Sequence, residues 1–247
     1  MPITHLLLDI EGTTCPVSFV AEVLFPYAAQ QLEAFLQQNG SEPQVAELVA
    51  AVDQAWAADT DPQAQQLRQQ MAAASATAVV PYLQWLIGCD RKLTALKDLQ
   101  GMIWRAGYAS GELVAPLYSD VPEALRRWHQ QGLVLAVYSS GSVPAQQLLY
   151  GHSQAGDLRP LFSGWYDTRT GPKQEAASYA AIAADLGVEP AQLLFISDSL
   201  AELQAASAAG MEVLFSDREG NPGRDSGPFA RIGDYSHLHP GDGAQRA

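Results

Sequence analysis

Six polar residues have types and positions that could support chemistry: Asp9, Glu11, Ser139, Ser140, Lys173 and Asp198. The acids and the hydroxyls follow or end short apolar runs, and the lysine precedes a predicted helix. Carboxylate oxygens are the ligands that Mg²⁺ prefers. Hydroxyl groups, backbone N–H groups and a lysine can hold a phosphoryl group and offset its charge. The set therefore predicts a site for one divalent cation and one phosphoryl group.

A carboxylate in such a site can do more than bind a metal. It can attack phosphorus, so that hydrolysis proceeds in two steps through an aspartyl-phosphate. A carboxylate nucleophile must be ionised, and a nearby lysine favours the ionised form. The chain has only three lysines, at 92, 97 and 173. Lys173 follows Gly-Pro directly before a predicted helix, and we interpret it as the positive charge of the site.

The polar residues must be positioned by the apolar runs that precede them. Four runs predict strands buried on both faces of a parallel sheet: 4–10, 133–140, 193–198 and 210–215. Three helices are predicted between them: 121–131, 174–186 and 200–209. The first has Asp120 as its N-cap and Gly132 as its stop. This alternation predicts an α/β fold with a doubly wound parallel sheet and a ligand site at the carboxyl ends of the strands.

The segment 20–107 has a different composition. It is rich in Ala, Gln, Leu and Glu at helical spacing, and we interpret it as about four helices. Such a segment is too long for a loop and predicts a small inserted helical domain. We expect a catalytic core at 1–18 and 112–235, the helical domain at 19–111, and a mobile tail at 236–247.

The charge balance excludes several classes of partner. Lys and Arg total 14 against 27 Asp and Glu, which gives a formal net charge of −13. Such an acidic chain is not expected to bind nucleic acid or a membrane surface. No apolar run approaches the ~20 residues of a membrane span, the N-terminus does not resemble a signal peptide, and the two cysteines form no pair. We expect a cytoplasmic monomer.

The ordered set of polar residues resembles the haloacid dehalogenase superfamily of phosphotransferases. Asp-x-Glu-Gly-Thr at 9–13, a serine after the second strand, a later lysine and a final aspartate follow its order. The usual opening of that superfamily is Asp-x-Asp-x-Thr, so Glu11 replaces an aspartate. Five segments resemble the bifunctional enolase-phosphatase (acireductone synthase) family: DIEGTT at 9–14, VLFPYA at 23–28, LQGMIW at 99–104, YSSGS at 138–142 and FSGWYDT at 162–168.

The resemblance implies catalytic roles. Asp9 would be the nucleophile and would also bind the single Mg²⁺ through its other oxygen. Glu11 would be the general acid and base, and its backbone carbonyl would reach the Mg²⁺. Thr13 would shape the turn that aims both acids. Lys173 would bridge Asp9 and the phosphate, keeping Asp9 ionised.

The resemblance also implies binding roles and a helical cap. Ser139 and Ser140 would hold the phosphate, and Asp198 would be the second side-chain ligand of Mg²⁺. Glu202, one helical turn later, would support water bound to the metal or be an ordinary solvated residue. The inserted helical domain would be a cap over the catalytic core.

The implied reaction has two parts. The family enolises 5-(methylthio)-2,3-dioxopentyl phosphate, a small phosphorylated diketone, and then dephosphorylates it to the acireductone in methionine salvage. The polar residues support the phosphatase part directly. For the enolase part we expect a core acid such as Glu11 to move the proton, and Mg²⁺ or groups of the cap to stabilise the enolate. Gln100, Trp104 and Tyr108 are the residues expected to contact the substrate.

Two alternatives stay open. One is another capped phosphatase of the same superfamily that acts on a sugar phosphate, which the replacement by Glu11 disfavours. The other is a non-catalytic regulator that is phosphorylated on Asp9. A stable phospho-aspartate does not favour an adjacent acid that activates water, so Glu11 and the large insertion disfavour this alternative as well.

Overall fold

The structure is a computed structural model that describes residues 1–70 and 76–240. It contains two compact units: Met1–Val20 with Val114–Ala247, called here the core unit, and Ala21–Leu113, called the helical unit. The boundaries between the two units fall after residues 20 and 113, whereas the sequence predicts boundaries after residues 18 and 111. No helix in the described parts of the chain is long and apolar enough to cross a membrane.

The core unit contains a six-stranded parallel sheet. Its strands are β1 (His5–Leu8), β2 (Val134–Tyr138), β3 (Phe162–Tyr166), β4 (Leu193–Ser197), β5 (Glu212–Ser216) and β6 (Arg231–Ile232). The spatial order is β3-β2-β1-β4-β5-β6. From β1 the chain proceeds through β2 to β3 on one side, and then through β4 and β5 to β6 on the other. Because crossovers between parallel strands are generally right-handed, this order is typical of a sheet with helices on both faces. The predicted doubly wound fold and its four predicted strands are confirmed.

The central strand β1 explains the apolar runs. Leu6, Leu7 and Leu8 have no exposed surface. β1 is hydrogen-bonded to β2 on one side and to β4 on the other, and a central strand of a parallel sheet is covered on both faces. Leu8 is paired with Val137 and with Ile196 in the two registers. The three strands therefore end at one level, so the residues that follow them emerge together at one edge of the sheet.

The strand β3 is not among the strands predicted from the sequence. Its segment contributes only to the family resemblance. Its burial alternates, with Ser163 exposed and Gly164 buried. It lies at the edge of the sheet beyond β2. An edge strand with one solvated face needs no continuous apolar run, which is the pattern on which the other strands were predicted.

Nine α-helices occur in the described residues: α1 (Phe25–Asn39), α2 (Pro43–Ala58), α3 (Pro62–Gln70), α4 (Val80–Gly88), α5 (Thr94–Ser110), α6 (Val121–Gln130), α7 (Val143–Gly151), α8 (Ala176–Asp185) and α9 (Leu200–Ala208). The first five belong to the helical unit, where about four were predicted. The three helices predicted in the core correspond to α6, α8 and α9.

The helical unit has its own hydrophobic core. Leu32 of α1, Val52 of α2, Leu83 of α4 and Leu99 of α5 are all fully buried in it. Trp56 is 3% exposed and stacks on Tyr82 with ring centroids 5.0 Å apart. The tryptophan is therefore a core residue, as its helical position predicts.

The last described segment packs on α6. Tyr235 is fully buried, and the indole nitrogen of Trp128 donates a hydrogen bond of 3.0 Å to the carbonyl of Leu238. The predicted mobile tail begins at 236, so Leu238 lies within it and is nevertheless bound to α6. Residues 241–247 of that tail lie outside the described residues.

Candidate active site

Asp9 directly follows β1 and has a fixed carboxylate. Its backbone N–H continues the sheet by donating to the carbonyl of Ile196 at 3.0 Å. The Oδ1 atom accepts from the N–H of Ile10 at 2.8 Å and from Lys173 Nζ at 2.7 Å. The Oδ2 atom accepts from Ser197 Oγ at 3.2 Å. Asp9 is 6% exposed, so these donors hold a mostly buried carboxylate in one orientation.

A tight turn follows Asp9 and carries Glu11. The N–H groups of Thr13, Thr14 and Cys15 all point to the carbonyl of Ile10, at 2.9 to 3.2 Å. Gly12, at φ +66, permits this turn. Glu11 lies beside Cys15, and burial together with the Glu11 charge raises the pKa of the Cys15 thiol to about 12. Cys15 is therefore an inert thiol.

Lys173 is a buried cation between two carboxylates. Its Nζ lies 2.7 Å from Asp9 Oδ1 and 2.7 Å from Glu202 Oε2, and its side chain is 9% exposed. Burial alone would lower the pKa of Lys173, but Asp9 and Glu202 outweigh burial and raise it above its ordinary value. Lys173 is thus positively charged, as the sequence analysis expects, and two carboxylates share its charge.

The loop that carries Lys173 is fixed by aromatic hydroxyls. Tyr138, the last residue of β2, donates to the carbonyl of Gly171 at 2.8 Å, and its ring lies 5.7 Å from the Lys173 ammonium. Tyr179 of α8 donates to the Lys173 carbonyl at 2.7 Å. These two hydrogen bonds hold the backbone of the loop, so the flexible Lys173 side chain begins from a fixed position.

Glu202 lies in the first turn of α9. Its Oε2 accepts from Ser197 Oγ at 2.9 Å and from Lys173. Burial, then the charge of Asp9, raises the pKa of Glu202. From the sequence, Glu202 is expected either to support metal-bound water or to be a solvated residue. Its carboxylate instead contacts Lys173 and Ser197, the two residues that also contact Asp9.

Asp198 directly follows β4 and faces the turn after Asp9. A Cβ atom on Gly12 would collide with Asp198 Oδ2 and lie 2.6 Å from its Cγ. Burial, and then the charge of Asp9, raises the pKa of Asp198 to about 7, which Lys173 only partly opposes. The negative charges of Asp9 and Asp198 therefore repel each other, and the positive charge of Lys173 does not fully offset this repulsion.

The donor set suits a hard divalent cation. Asp9 and Asp198 offer carboxylate oxygens, and the turn at Glu11 offers backbone carbonyls. Among residues 1–70 and 76–240, no three His, Cys, Asp or Glu side chains form a group that could hold a metal. Mg²⁺ needs no such group, because it keeps several waters and takes one or two protein carboxylates. The oxygen donors present fit Mg²⁺.

Ser139 and Ser140 follow β2 at the same edge. The N–H of Ser139 donates to the Tyr166 carbonyl at 3.1 Å, and its Oγ accepts from the Gly141 N–H at 3.3 Å. Ser139 is 4% exposed, whereas Ser140 is exposed. Ser139 therefore stabilises its own loop, and Ser140 presents the more accessible hydroxyl.

Two further residues hold this serine loop and were missed from the sequence. Asp167, directly after β3, accepts from the N–H of Val143 at 3.2 Å, at the start of α7. Gln146 of α7 donates to the carbonyls of Gly141 and Tyr166, both at 2.8 Å. Like Asp9 and Asp198, Asp167 is a polar residue at the end of a strand. It is not among the predicted site residues because β3 is not among the predicted strands.

The chain is similar to known hydrolases over most of its length. The family model of haloacid dehalogenase-like hydrolases matches residues 3–210. Enolase-phosphatase E1 of Synechococcus elongatus is 51% identical over 247 residues, with 97% of each chain covered. Enolase-phosphatase E1 of Synechococcus sp. strain RCC307 is 54% identical over 217 residues, covering 88% of this chain and 86% of the relative.

Solved structures agree on the fold. The UTR4 protein of Saccharomyces cerevisiae has a TM-score of 0.73 at 33% identity, covering 96% of this chain and all of that one. CbbY of Rhodobacter sphaeroides, in complex with phosphate, has a TM-score of 0.59 at 18% identity, covering 96% of each chain. Together with the sequence relatives, these findings show that the chain belongs to the haloacid dehalogenase-like hydrolases and, among them, to the enolase-phosphatase family.

Proposed function

We propose that Asp9 attacks the phosphorus of a small phosphate ester and forms an aspartyl-phosphate. The chain is a phosphatase of the enolase-phosphatase family, which acts in methionine salvage. The observation that carries the proposal is the buried Asp9 carboxylate, held by Lys173 at 2.7 Å at the end of the central strand. A nucleophile fixed in this way loses little entropy on reaching the phosphorus.

Lys173 and the serine loop would bind the transferring phosphoryl group. Lys173 keeps Asp9 ionised before attack and offsets charge on the phosphoryl oxygens during it. Ser140, with its exposed hydroxyl, would contact a phosphate oxygen directly. Ser139 would contribute through the loop it holds.

Glu11 would act as the general acid and base. It lies two residues after Asp9 on the turn fixed by the Ile10 carbonyl. In the first step it would protonate the leaving oxygen of the ester, and in the second it would take a proton from the water that hydrolyses the aspartyl-phosphate. The proton that Glu11 gives to the leaving oxygen is replaced by the proton taken from water. Glu11 is therefore protonated again at the end of each cycle.

Asp9, Asp198 and the backbone carbonyl of Glu11 would hold one Mg²⁺. When bound, the ion supplies positive charge that polarises the phosphoryl group. Gly12 leaves room for the Asp198 carboxylate at this place. The clustering of Asp9 and Asp198 supports the metal site.

The substrate proposed is 5-(methylthio)-2,3-dioxopentyl phosphate, which would be enolised before it is dephosphorylated. Glu11 is the proposed base for the enolisation. The substrate contacts expected of Gln100, Trp104 and Tyr108 on α5 stay predictions. Within the helical unit, Trp104 Nε1 already donates to the Leu24 carbonyl at 2.9 Å, so an interaction with substrate would use its ring face. A monomeric state and a cytoplasmic location are likewise proposals.

In the deciding experiment, the diketone phosphate is added to the purified protein in the presence of Mg²⁺. Absorbance of the enol should rise first and phosphate should follow. Asp9→Asn should release no phosphate, because the amide is a poor nucleophile but nearly preserves the shape. Phosphate release from a sugar phosphate with no reaction of the diketone would favour the alternative phosphatase. Hydrolysis by Asp9→Asn at the wild-type rate would exclude Asp9 as the nucleophile.

A further inference from the structure

Asn221 is a buried amide that lies outside the segment matched by the family model, which ends at residue 210. It follows β5 in the sequence Arg-Glu-Gly-Asn and is 8% exposed. Its Nδ2 donates to the carbonyl of Gly12 at 2.9 Å and to the carbonyl of Ser216 at 3.2 Å. It therefore reaches the turn that carries Asp9 and Glu11 from a distant part of the chain.

The two bonds of Nδ2 determine how the amide is oriented. Both partners are carbonyl oxygens, which only accept hydrogen bonds. The reverse orientation would place Asn221 Oδ1 against two acceptors, so the network excludes it. Oδ1 is buried, and no donor in residues 1–70 or 76–240 forms a hydrogen bond with it. A buried acceptor of this kind carries a desolvation cost and calls for a donor.

The Asn221 oxygen faces Asp198 across Gly12. A Cβ atom on Gly12 would lie 2.6 Å from the Asp198 Cγ and 2.8 Å from Asn221 Oδ1. The Asp198 Cγ and the amide oxygen are therefore at most about 5.4 Å apart, which is within the reach of one bridging water. Both groups can accept hydrogen bonds, so a donor or a cation is the favourable occupant of the space between them.

A structural role alone does not account for this arrangement. The Gly12 carbonyl already accepts a hydrogen bond of 2.9 Å from Ser216 Oγ, so it has a second anchor. An apolar side chain would fill the same volume without burying an unpaired oxygen. The part of Asn221 that needs an explanation is Oδ1, and its neighbour is a residue of the proposed metal site.

We propose that Asn221 is a positioning residue for the metal: its Oδ1 accepts a hydrogen bond from a water molecule bound to the Mg²⁺ that Asp198 holds. The proposal rests on the metal site of the proposed function. A metal-bound water is a strong donor and fits between two acceptors. Outer partners of this kind orient the ligands of a metal and commonly change its affinity.

The test measures metal binding without substrate, in the full chain, by titrating Mn²⁺ and quantifying the free ion by electron paramagnetic resonance, with Mg²⁺ as competitor. Asn221→Ala should weaken Mn²⁺ binding about tenfold. Ser216→Ala is the matched control, because it removes the other donor to the Gly12 carbonyl and leaves Oδ1 in place. It should stay within about twofold of wild type.

Asn221→Asp separates the two functions of the side chain. It keeps an acceptor oxygen and adds a negative charge near the metal, but its other oxygen faces the carbonyls of Gly12 and Ser216 without a proton to donate. It should therefore bind Mn²⁺ at least as tightly as wild type while folding less stably. This comparison also decides the matter if Asn221→Ala does not fold. Weaker binding in Asn221→Asp, equal losses in Asn221→Ala and Ser216→Ala, or no loss in Asn221→Ala would overturn the proposal.

A further variant separates this inference from the metal site itself. Asp198→Asn should abolish the Mn²⁺ binding of the wild-type protein. If the wild type shows no binding that Asp198→Asn removes, the metal site fails and the inference fails with it. If Asp198→Asn abolishes binding and Asn221→Ala does not weaken it, only the inference about Asn221 fails.

Discussion

At the scale of single residues, the central interaction is the sharing of Lys173 between Asp9 and Glu202. Three charged groups are held within 2.7 Å contacts in a site with little exposure to water. Charges in such a place cannot rely on solvent, so each depends on the position of the others. Glu202 does not need to touch a substrate to affect the reaction, because it contacts Lys173, the residue proposed to bind the phosphoryl group.

Glu202→Gln should therefore lower kcat more than it changes KM. The amide keeps the shape and a hydrogen bond to Lys173 but removes one of the two negative charges that hold it. We expect a loss of kcat of about 10–100-fold, the range typical of outer partners in such sites. Initial-rate kinetics on the phosphate ester would measure both constants.

Glu189→Gln, an exposed residue outside the site, is the matched control and should leave both constants unchanged. If Glu202→Gln raised KM alone, or behaved like Glu189→Gln, then Glu202 would not act by positioning Lys173.

At the scale of elements, the turn after β1 and the serine loop before α7 carry residues proposed for catalysis and phosphate binding. Each also has a hydrogen bond with a residue distant in sequence, from Asn221 to Gly12 and from Val143 to Asp167. Gly12 and Asp167 are where these constraints can be tested, because each has a counterpart in the same chain with similar geometry and no role in the site.

Gly12→Ala should cost both stability and metal binding. At φ +66 a residue with a side chain lowers the unfolding free energy by about 1–2 kcal/mol. The added Cβ atom would also displace the Asp198 carboxylate. Gly187→Ala is the control, since its φ is +67 and nothing lies within 4 Å of its Cβ position. Chemical unfolding and metal titration of both variants would show a shared stability loss and a metal-binding loss in Gly12→Ala alone. Equal metal affinity in the two would contradict the role of Gly12.

Asp167→Ala should weaken phosphate binding. Its carboxylate accepts from the N–H groups of Val143 and Arg169, and so anchors the start of α7 behind the serine loop. We expect a loss of about 0.5–2 kcal/mol in unfolding free energy, as for a helix cap. We also expect a rise of about tenfold in the inhibition constant of inorganic phosphate.

Asp157→Ala is the control for Asp167. Asp157 accepts from the N–H two residues later, as Asp167 does, but on an exposed loop. It should lose some stability and keep its affinity for phosphate. If the inhibition constant did not change in Asp167→Ala, the serine loop would not depend on that anchor.

At the scale of the whole molecule, a buried ion pair joins the segment after β5 to the start of α6. Arg218 forms two hydrogen bonds with the Asp120 carboxylate, at 2.9 and 2.8 Å, and both side chains are 5% exposed. The guanidinium lies 4.5 Å from the Tyr118 ring and 4.2 Å from the Tyr235 ring. The Tyr235 hydroxyl donates to the carbonyl of Thr13 at 3.1 Å, so this cluster contacts the turn that follows Asp9.

Arg218→Met should destabilise the fold by about 3–5 kcal/mol, because it leaves the Asp120 charge buried without its partner. Arg224→Met removes an exposed partner of Asp217, 60% exposed, and should cost at most about 1 kcal/mol. Urea unfolding of the two variants measures the difference. Equal losses would mean that burial does not set the strength of the pair.

Much of this organisation could be predicted from the sequence because it follows from local pattern. Continuous apolar runs fixed four strands, and polar residues at their ends located Asp9, Ser139 and Asp198. The predictions failed where a residue's partner is distant in sequence. Asp120 occupies the predicted N-cap position of α6 but makes no capping hydrogen bond, because its carboxylate pairs with Arg218.

The polar residues that hold loops left the weakest signal. Gln146 and Asn221 donate to backbone carbonyls, which every residue has, so no sequence pattern identifies their partners. Glu202 was recognised from its spacing but not its contact, since helical periodicity places a side chain on a face without specifying what lies opposite.

The parallel arrangement of β1 between β2 and β4 has a consequence for how the site comes into being. Asp9 is separated from Lys173 by 164 positions, from Ser197 by 188, and Gly12 from Asn221 by 209. Closing such long loops is entropically costly and slow. During synthesis on the ribosome Asp9, the proposed nucleophile, therefore emerges long before Lys173 and Ser197, which contact its carboxylate. Competence for catalysis is thus acquired late, in the same step that completes the sheet.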